Sequence, residues 1–313
     1  MNTEFHAMPT PSSHVNAMTV DVEEYFQVSA FEALVDKGRW SRLPSRVEAS
    51  MDRILALFEL AGVRATFFVL GCIAERHPRL VQRVAEAGHE IASHGMSHVR
   101  VTQQTRAAFA TDVHASRVLL EQISGTAVRG YRAASFSIGA ENLWALDVLE
   151  EAGFAYSSSI YPGKHPAYGM PGAPRFVFRN GDRGIVEIPV TTVEFAGRRY
   201  PCAGGGFFRL YPYPLSRWAL RHVNRREGQP GLFYFHPWEL DPDQPRVPGV
   251  SATTRVRHYL NLGRMERRLG RLLSDFEWDR MDRVFPVSRD EPVTAVPVSS
   301  IPHAGTDRYM GHV

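Results

Sequence analysis

The chain has 313 residues, of which 44% are hydrophobic, 11% aromatic and 22% charged, a composition typical of a globular protein with a sizeable core. This length and mixture exclude a disulfide-stapled miniprotein, a coiled coil and a disordered chain, and they leave one large domain or two small ones. The net charge is +3, from 36 Lys and Arg against 33 Asp and Glu, and the basic residues are scattered, so nucleic acid is not an expected partner.

The first segment, residues 1–17, is rich in polar residues and has no hydrophobic periodicity, so we expect a disordered leader. It lacks a basic region followed by an apolar region, and no run of the chain reaches the ~18 apolar residues of a membrane span. We therefore expect a cytoplasmic protein without an integral membrane segment. Cys72 and Cys202 do not have the spacing of a metal or redox motif.

From residue 18 onward, short apolar runs alternate with amphipathic stretches, which is typical of β/α units around a mainly parallel sheet. Strands are predicted at residues 18–22, 65–70, 90–93, 130–133, 155–159, 185–193 and 232–235. Helices are predicted at residues 46–60, 78–87, 106–123, 141–152 and about 254–274. Ser45 is placed to cap the first helix, and glycines 62, 88 and 153 mark helix ends, where a left-handed residue is favoured.

Two segments, residues 162–184 and 201–214, are rich in glycine, proline and aromatic residues, so we expect long loops on the active face. After residue 286 the sequence has too few large apolar residues to offset the entropy of ordering. We therefore predict a disordered tail at residues 286–313 and one folded domain at residues 18–285.

His94 and His98 come directly after the predicted strand 90–93 and are four residues apart. On a helical turn this spacing places both imidazoles on one face, close enough to bind one divalent ion. Two polar histidines of a loop would give the same pattern, so the pair indicates a metal site only if a third ligand lies nearby.

Three acidic residues, Asp21, Glu23 and Glu24, end the first strand. In an extended segment Asp21 and Glu23 point to one side and Glu24 to the other, so the first two can share a site. A solvated strand end is the alternative, and it explains three acids less well than one. Together with the histidines, the acids predict a metal site of two histidines and one carboxylate, with a spare acid as general base.

Arg132 and His236 also end predicted strands. A histidine after four apolar residues is, taken alone, more often a core residue than a catalytic one. However, the acids, the histidine pair, Arg132 and His236 all fall at carboxyl ends of strands. Parallel α/β sheets and barrels build their active sites at that edge.

The motifs in this order resemble the polysaccharide deacetylase family with its NodB-type homology domain. They are the acidic first strand, SHGMSH at residues 93–98, RAASF at 132–136, YSSS at 156–159 and LFYFHPWEL at 232–240. The opening TVDVEEYF and the ending FHPWEL are more similar to the branch associated with exosortase and exopolysaccharide loci. The resemblance spans residues 19–282.

The resemblance implies a distorted, TIM-barrel-like (β/α) barrel of about seven parallel strands. It implies a hydrolase that removes N-acetyl groups from a polysaccharide or its precursor, in exopolysaccharide biosynthesis, with one divalent metal ion that is usually zinc. Carried over by motif, the roles are base for Asp21, metal ligand for Glu23, His94 and His98, orientation of the base for Arg132, and catalytic acid for His236.

The sequence departs from the common pattern of the family at two positions. The second acid is displaced by one residue, which leaves the choice between Glu23 and Glu24 open, and Ala134 stands where the commonest form has proline. We expect Tyr156 and Ser158 to shape the acetate pocket, although strand hydroxyls have the same pattern. We expect Trp238, two residues from His236, to contact the sugar.

Three alternative functions remain open. The chain could be an amidohydrolase of a small carbon–nitrogen substrate, a non-catalytic carbohydrate-binding protein of the same fold, or a structural protein with incidental histidines. The sequence does not indicate which glycan is bound, whether a polymer or a lipid-linked precursor is preferred, which metal is used or how the chain oligomerises.

Overall fold

The computed structural model describes residues 14–165, 168–180, 184–285, 287 and 295–296. The strands are β1 Val15–Val22, β2 Thr66–Val69, β3 Glu90–Ser93, β4 Gly130–Tyr131, β5 Tyr156–Ser157, β6 Phe178–Asn180, β7 Val186–Glu187, β8 Thr192–Phe195, β9 Arg198–Pro201, β10 Leu232–Phe235, β11 Glu277–Asp279 and β12 Ala295–Val296. The helices are α1 Val47–Ala61, α2 Gly71–Arg76, α3 Pro78–Glu86, α4 Arg106–Ser124, α5 Trp144–Glu151, α6 Gly205–Leu210, α7 Tyr213–Arg225, α8 Ala252–Tyr259, α9 Leu262–Asp275 and α10 Met281–Val284.

Seven strands lie side by side in parallel, in the order β10-β1-β2-β3-β4-β5-β7, and form a curled half-barrel. Strand β6 pairs antiparallel with β7, β12 pairs with β6, and β11 pairs with the start of β1. The expected distorted barrel of about seven parallel strands is confirmed. Its strand order brings the carboxyl ends of β1, β2, β3 and β10 to one edge.

Two hydrophobic layers hold the half-barrel together. The inner layer takes one side chain from each of several strands and is closed below by α10; its members include Ala17, Phe68, Ala92, Tyr156, Val186, Leu232 and Met281. The outer layer packs the amphipathic helices on the sheet, as Met51, Ile54 and Phe58 of α1 do. Strand residues therefore face apolar surroundings on both sides, which explains their nearly continuous hydrophobic runs.

Strand β1 begins at Val15, three residues before the start predicted from the sequence. Asn16 is fully buried, and its Oδ1 accepts hydrogen bonds from Asn224 Nδ2 at 2.7 Å and from Gly231 N at 2.7 Å. These bonds compensate for burying a polar residue, so residues 15–17 belong to the sheet and not to a leader. Residues 1–13 of the expected leader lie outside the described residues.

The prediction that Ser45 caps α1 is wrong. The carboxylate of Glu24 accepts hydrogen bonds from the backbone N–H of Arg46 at 3.0 Å and of Val47 at 3.3 Å, and Ser45 Oγ donates to the same carboxylate. A carboxylate at a helix amino end satisfies free N–H groups and the helix dipole together. The predicted glycine ends are confirmed, since Gly62, Gly88 and Gly153 have φ of 65°, 80° and 82°.

The structure corrects the sequence reading of the second half of the chain in two places. Residues 201–214, expected to be a loop, contain α6 and the start of α7. The single helix expected at 254–274 is two helices, because Asn261 has φ of 55°, a left-handed value that ends α8 and restarts the chain as α9.

Within the expected disordered tail, Ala295–Val296 pairs with β6, and most of the remaining tail lies outside the described residues. Across the described part of the chain, we find no helix with the length and apolar character needed to cross a bilayer.

Candidate functional site

The candidate site lies at the carboxyl edge of the half-barrel. Asp21 and Glu23 are at the end of β1, which pairs with β2 on one side and β10 on the other. His94 directly follows β3, Arg132 follows β4, and His236 follows β10. Neighbouring parallel strands therefore bring together residues that are up to 215 positions apart in the sequence, as the sequence analysis predicted.

Glu23, His94 and His98 form a buried cluster whose possible ligand atoms all lie within 4.8 Å of one another. Glu23 Oε1 lies 3.0 Å from Nε2 of His94 and 3.0 Å from Nε2 of His98. Two imidazole nitrogens and one carboxylate oxygen are the donor set of many catalytic zinc sites, which keep a further position open for water or substrate. Glu24 points away and caps α1, so the geometry favours Glu23 as the carboxylate of this cluster.

The hydrogen bonding of His94 leaves Nε2 as the ring atom that faces Glu23. Its Nδ1 lies 2.7 Å from the carbonyl oxygen of Arg132, which can only accept, so Nδ1 carries the proton. In the neutral ring, Nε2 then presents a lone pair to Glu23 Oε1. Two lone pairs at 3.0 Å repel unless a proton or a metal ion lies between them. The same carbonyl contact orients the ring as second-shell partners of metal-binding histidines do.

The two histidines lie on an irregular turn. In the sequence analysis, their spacing is considered on a helical turn. Gly95 has φ of 79° and His98 has φ of 51°, both left-handed. A side chain at Gly95 would place Cβ 2.8 Å from Asp112 Oδ2, and that carboxylate accepts a hydrogen bond from Met96 N at 3.1 Å. The turn is therefore fastened to α4, which holds both imidazoles beside Glu23 without helical geometry.

Asp21 is paired with a fully buried arginine. Arg132 Nη1 donates to Asp21 Oδ1 at 2.5 Å and to Thr19 Oγ1 at 2.9 Å. Because Arg132 binds Oδ1, the other oxygen of the carboxylate is directed elsewhere, and Oδ2 lies 4.0 Å from His236 Nε2. The pair thus holds one carboxylate oxygen toward the space between His236 and the Glu-His-His cluster.

Arg132 is itself held from several sides. Its Nε donates to the carbonyl oxygen of Ser158 at 3.2 Å, its Nη2 donates to Ser158 Oγ at 3.0 Å, and its guanidinium lies 4.0 Å from the centre of the Phe68 ring. These contacts replace the hydration that a buried cation loses. Ser158, expected to shape the acetate pocket, is fully buried and contacts Arg132.

His236 is bound to a carboxylate that the sequence analysis did not single out. Its Nδ1 lies 2.9 Å from Glu239 Oε1, and the other oxygen of Glu239 accepts from Arg209 Nε at 2.6 Å. Arg209 is also buried and donates to the carbonyl oxygens of His258 and Leu260. Nδ1 of His236 therefore faces Glu239, while Nε2 faces Asp21 and Glu23 at 4.0 Å.

Two positions in the sequence are related to the support that Glu239 gives His236. Glu239 is three residues after His236, on the turn Pro237–Leu240. A side chain at Gly205 would put Cβ 2.1 Å from Glu239 Oε1, which explains a glycine at the start of α6. Arg209 is four residues further along α6, but its pairing with Glu239 depends on tertiary contacts that no local pattern encodes.

The charged groups of the site shift one another's pKa values. Burial opposes ionisation of Glu23, but His98 and His236 hold its pKa well below the ordinary value. Burial likewise opposes the charged form of His236, but Glu23 and Glu239 raise its pKa to about 9. Against its own burial, Arg209 and His236 lower the pKa of Glu239 to about 2. The site therefore favours an imidazolium at His236 beside ionised carboxylates.

Two predicted substrate contacts are not at the site surface. Tyr156 is fully buried, and its hydroxyl donates to Glu90 Oε1 at 2.9 Å, at the opposite end of the strands from His94. Trp238 is 7% exposed and lies stacked between His236 and His258, at ring distances of 5.1 and 4.1 Å. The barrel interior takes up the Tyr156 ring, and the turn after β10 takes up the Trp238 ring, for which proximity in sequence to His236 was misleading.

Comparison with known proteins gives two family matches that together cover most of the described chain. Residues 35–157 match the family described as "Polysaccharide deacetylase", and residues 158–286 match the family described as "Domain of unknown function (DUF3473)". Asp21 and Glu23 precede both matches, and His236 lies in the second.

Curated relatives match over short segments. A segment of 80 residues is 31% identical to the peptidoglycan-N-acetylglucosamine deacetylase of Bacillus cereus and covers 26% of this chain and 29% of that protein. A segment of 100 residues is 31% identical to the chitooligosaccharide deacetylase of Sinorhizobium fredii and covers 32% of this chain and 44% of that protein. The chain thus spans less than half the length of either relative.

The fold as a whole is shared with a solved structure. A Mycobacterium smegmatis protein assigned to the polysaccharide deacetylases superimposes with a TM-score of 0.57 at 19% sequence identity. The alignment covers 89% of this chain and 91% of that protein. This likeness concerns the fold, the same curled barrel of parallel strands and outer helices.

Proposed function

Since residues 35–157 of the chain belong to the polysaccharide deacetylase family and residues 158–286 to the DUF3473 family, we propose that the protein is a metal-dependent carbohydrate de-N-acetylase. The substrate class is an N-acetylated polysaccharide or its precursor, and the reaction is hydrolysis of the carbon–nitrogen bond of an acetamide. The observation that carries the proposal is the convergence of a Glu-His-His cluster, an arginine-paired aspartate and a carboxylate-bound histidine at one edge of the barrel.

Glu23, His94 and His98 would hold the metal ion, and zinc suits this donor set. A bound divalent ion would supply Lewis-acid chemistry, in which the acetamide carbonyl is polarised and the pKa of a water falls. The buried position of all three residues keeps competing water away and strengthens electrostatic interactions in the site.

Asp21 acts as the general base in this proposal. Arg132 binds Oδ1 and leaves Oδ2 directed at the space in front of Glu23, so Oδ2 accepts the proton of the attacking water. Arg132 itself contacts no substrate atom in this arrangement. It is a positioning residue, and Thr19 and Ser158 fix its direction.

His236 acts as the general acid. Its raised pKa favours the imidazolium, and Nε2 faces the same space as Asp21 Oδ2, so it donates its Nε2 proton to the departing amine nitrogen. Glu239 binds Nδ1 and keeps the ring oriented through the transfer. The products are acetate and a glycan with a free amine.

The proposal is tested by acetate release from chitin oligomers and from acetylated exopolysaccharide, with the metal content determined on the same sample. We expect about one divalent ion per chain and acetate release that stops on chelation and returns on adding zinc. A bound ion without acetate release from any glycan would favour a small carbon–nitrogen substrate. Absence of any ion from protein purified with zinc present would contradict the proposal.

A role in exopolysaccharide biosynthesis is part of the proposal, and a cytoplasmic location stays a prediction from the sequence. The role in exopolysaccharide biosynthesis depends on the similarity of the TVDVEEYF and FHPWEL motifs to one branch of the family. Acetate release measured on the acetylated polymer and on its lipid-linked precursor would identify the natural substrate.

A further inference from the structure

The segment that matches the DUF3473 family exposes a surface with an unusual combination of side chains. Phe195 at the tip of the β8–β9 hairpin is 58% exposed, and Leu215 and Trp218 on α7 are 44% and 41% exposed. The rings of Phe195 and Trp218 touch edge to face at 5.8 Å. We call these three residues the aromatic ridge. None of them contributes to the site described above.

Arginines border the aromatic ridge. A surface groove of about 490 Å³ runs between α7 and α9, and its lining includes Arg217, Arg267 and Arg271. Arg217 lies 3.0 Å from Asp275, but within the described residues Arg267 and Arg271 have no carboxylate within 4.0 Å, and the guanidinium of Arg271 lies over the Tyr213 ring. The groove therefore holds positive charge that the protein itself does not neutralise.

Basic residues occur along the whole chain, but their excess over acidic residues falls in this part of it. Between residues 198 and 271 the sequence has 14 arginines and five acidic residues, although the whole chain has a net charge of only +3. On the other flank of the barrel, some exposed arginines have a carboxylate partner, as Arg83 has Asp52 and Arg106 has Glu151. The asymmetry indicates a partner that is negatively charged.

We propose that the aromatic ridge and the arginine groove form a docking surface for an anionic lipid bilayer. Aromatic rings beside arginines are suited to the interface of a membrane, where the rings enter the headgroup layer and the guanidinium groups bind phosphates. A soluble anion would require only the arginines and leaves the exposed ridge without a role. A second copy of the chain would place like charges face to face. The surface is separate from the catalytic site, so this proposal does not depend on the proposed function.

The test is sedimentation of the full chain with vesicles of phosphatidylcholine, alone or mixed equally with phosphatidylglycerol. We expect binding to the mixed vesicles at low salt, at least about tenfold weaker binding to pure phosphatidylcholine, and loss of binding as salt screens the arginines. Trp218 fluorescence should be quenched by brominated lipid, and the quenching should be smaller in Trp218→Phe.

Two double variants separate the contributions of the surface. Phe195→Ser with Trp218→Ser, and Arg267→Gln with Arg271→Gln, should each weaken binding to mixed vesicles at least about fivefold. The matched controls are Val118→Ser and Arg79→Gln, at exposed positions on α4 and α3 on another flank, and they should bind as the unchanged protein does. Circular dichroism and acetate release from soluble oligomers check that each variant is folded.

Three outcomes would overturn the proposal. The first is that the unchanged protein does not sediment with mixed vesicles. The second is that the ridge variant binds them fully while millimolar inorganic phosphate displaces the protein, which would indicate an anion site only. The third is a dimer in sedimentation velocity that the ridge variant loses, which would make the surface an interface between copies. None of these outcomes affects acetate release, so the two proposals fail independently.

Discussion

At the scale of single residues, the proton on His94 Nδ1 separates the metal role from the base role. The contact with the carbonyl oxygen of Arg132 leaves Nε2 available as a ligand, whereas Asp21 Oδ2 faces the site without belonging to the Glu-His-His cluster. We expect His94→Ala to lose both metal and activity. We expect Asp21→Asn to keep the metal and to lose at least about 100-fold in kcat.

Metal content and acetate release measured on the same samples check this pair of variants. His114→Ala, at an exposed position on α4, is the matched control and should keep both. Full activity in Asp21→Asn would remove the base assignment, and a full metal complement in His94→Ala would remove the ligand assignment.

Glu239 should set the pH range in which His236 can donate a proton. Glu23 and Glu239 both raise the pKa of His236, and the imidazolium needed for donation is lost as pH rises through that pKa. Glu239→Gln keeps an oxygen for Nδ1 but removes the charge. We expect the alkaline limb of kcat against pH to move to lower pH, because neutral imidazole forms earlier in the variant.

The pH profile distinguishes this role from a purely structural one. Glu266→Gln, on the exposed face of α9, should leave the profile unchanged. If Glu239→Gln lowers kcat equally at every pH without moving the limb, Glu239 only supports the fold around Arg209.

The residues of the site differ in how well sequence reasoning could find them. Asp21, Glu23, His94, Arg132 and His236 all end strands, so a period-two pattern and the rule for parallel sheets predict that they meet. Contacts across the barrel interior cannot be predicted in this way. The bond of Tyr156 to Glu90 and the stack of Trp238 on His258 depend on which residues fill the interior, which no local pattern encodes.

At the scale of elements, the alternation of side chains continues past the end of β1 and gives Glu23 and Glu24 different partners. Glu23 faces the histidines, whereas Glu24 faces the amino end of α1 and accepts from Arg46 N and Val47 N. We expect Glu24→Gln to lower the free energy of unfolding by about 1–2 kcal/mol with unchanged metal content. We expect Glu23→Gln to lose the metal.

Urea unfolding and metal analysis of both variants check this division. The two substitutions are chemically identical and adjacent, so each is the control for the other. Loss of metal in Glu24→Gln with retention in Glu23→Gln would reverse the assignment that the geometry favours.

Elements with a strong local pattern were predicted closely. Helices α1, α3 and α4 have amphipathic periodicity and glycine ends, and their predicted bounds differ from the observed ones by one residue. Helices α2 and α6 have only six residues and begin at glycines, so they have no such pattern. The break between α8 and α9 depends on one left-handed residue, Asn261, which periodicity does not detect.

At the scale of the whole molecule, the two family matches contribute to one sheet. Strand β1 precedes both matched segments and pairs with β2 of the first and β10 of the second. The Glu-His-His cluster and Arg132 combine β1 with the first segment, and His236 and Glu239 come from the second. Neither segment alone contains the site, so the geometry of the site depends on both segments packing beside β1.

At the opposite end of the barrel, the buried carboxyl group of Glu90 on β3 connects β2, β5 and α10 through hydrogen bonds. Its carboxyl group accepts hydrogen bonds from Thr66 Oγ1 at 2.5 Å and from the Tyr156 hydroxyl at 2.9 Å. Thr66 Oγ1 in turn accepts from Met281 N at 2.8 Å, which ties the C-terminal helix α10 beneath β2. Burial, with a further contribution from the charge of Asp282, raises the pKa of Glu90 from 4.5 to about 7.

This raised pKa predicts how stability changes with pH. At pH below about 4.5 the group is protonated in both the folded and the unfolded chain, so folding carries no penalty from it. As pH rises toward about 7 the unfolded chain releases the proton before the folded chain does, which favours unfolding, and above about 7 the penalty is constant. Glu90→Gln cannot release a proton, so its stability relative to the unchanged protein should increase with pH by about 1–3 kcal/mol and then level off.

Unfolding by urea at pH 5, 6, 7 and 8 measures this difference, and Glu59→Gln, at an exposed position on α1, should show none. Equal pH dependence in Glu90→Gln and the unchanged protein would mean that Glu90 ionises alike in both states, and that the network below the barrel accommodates a charge.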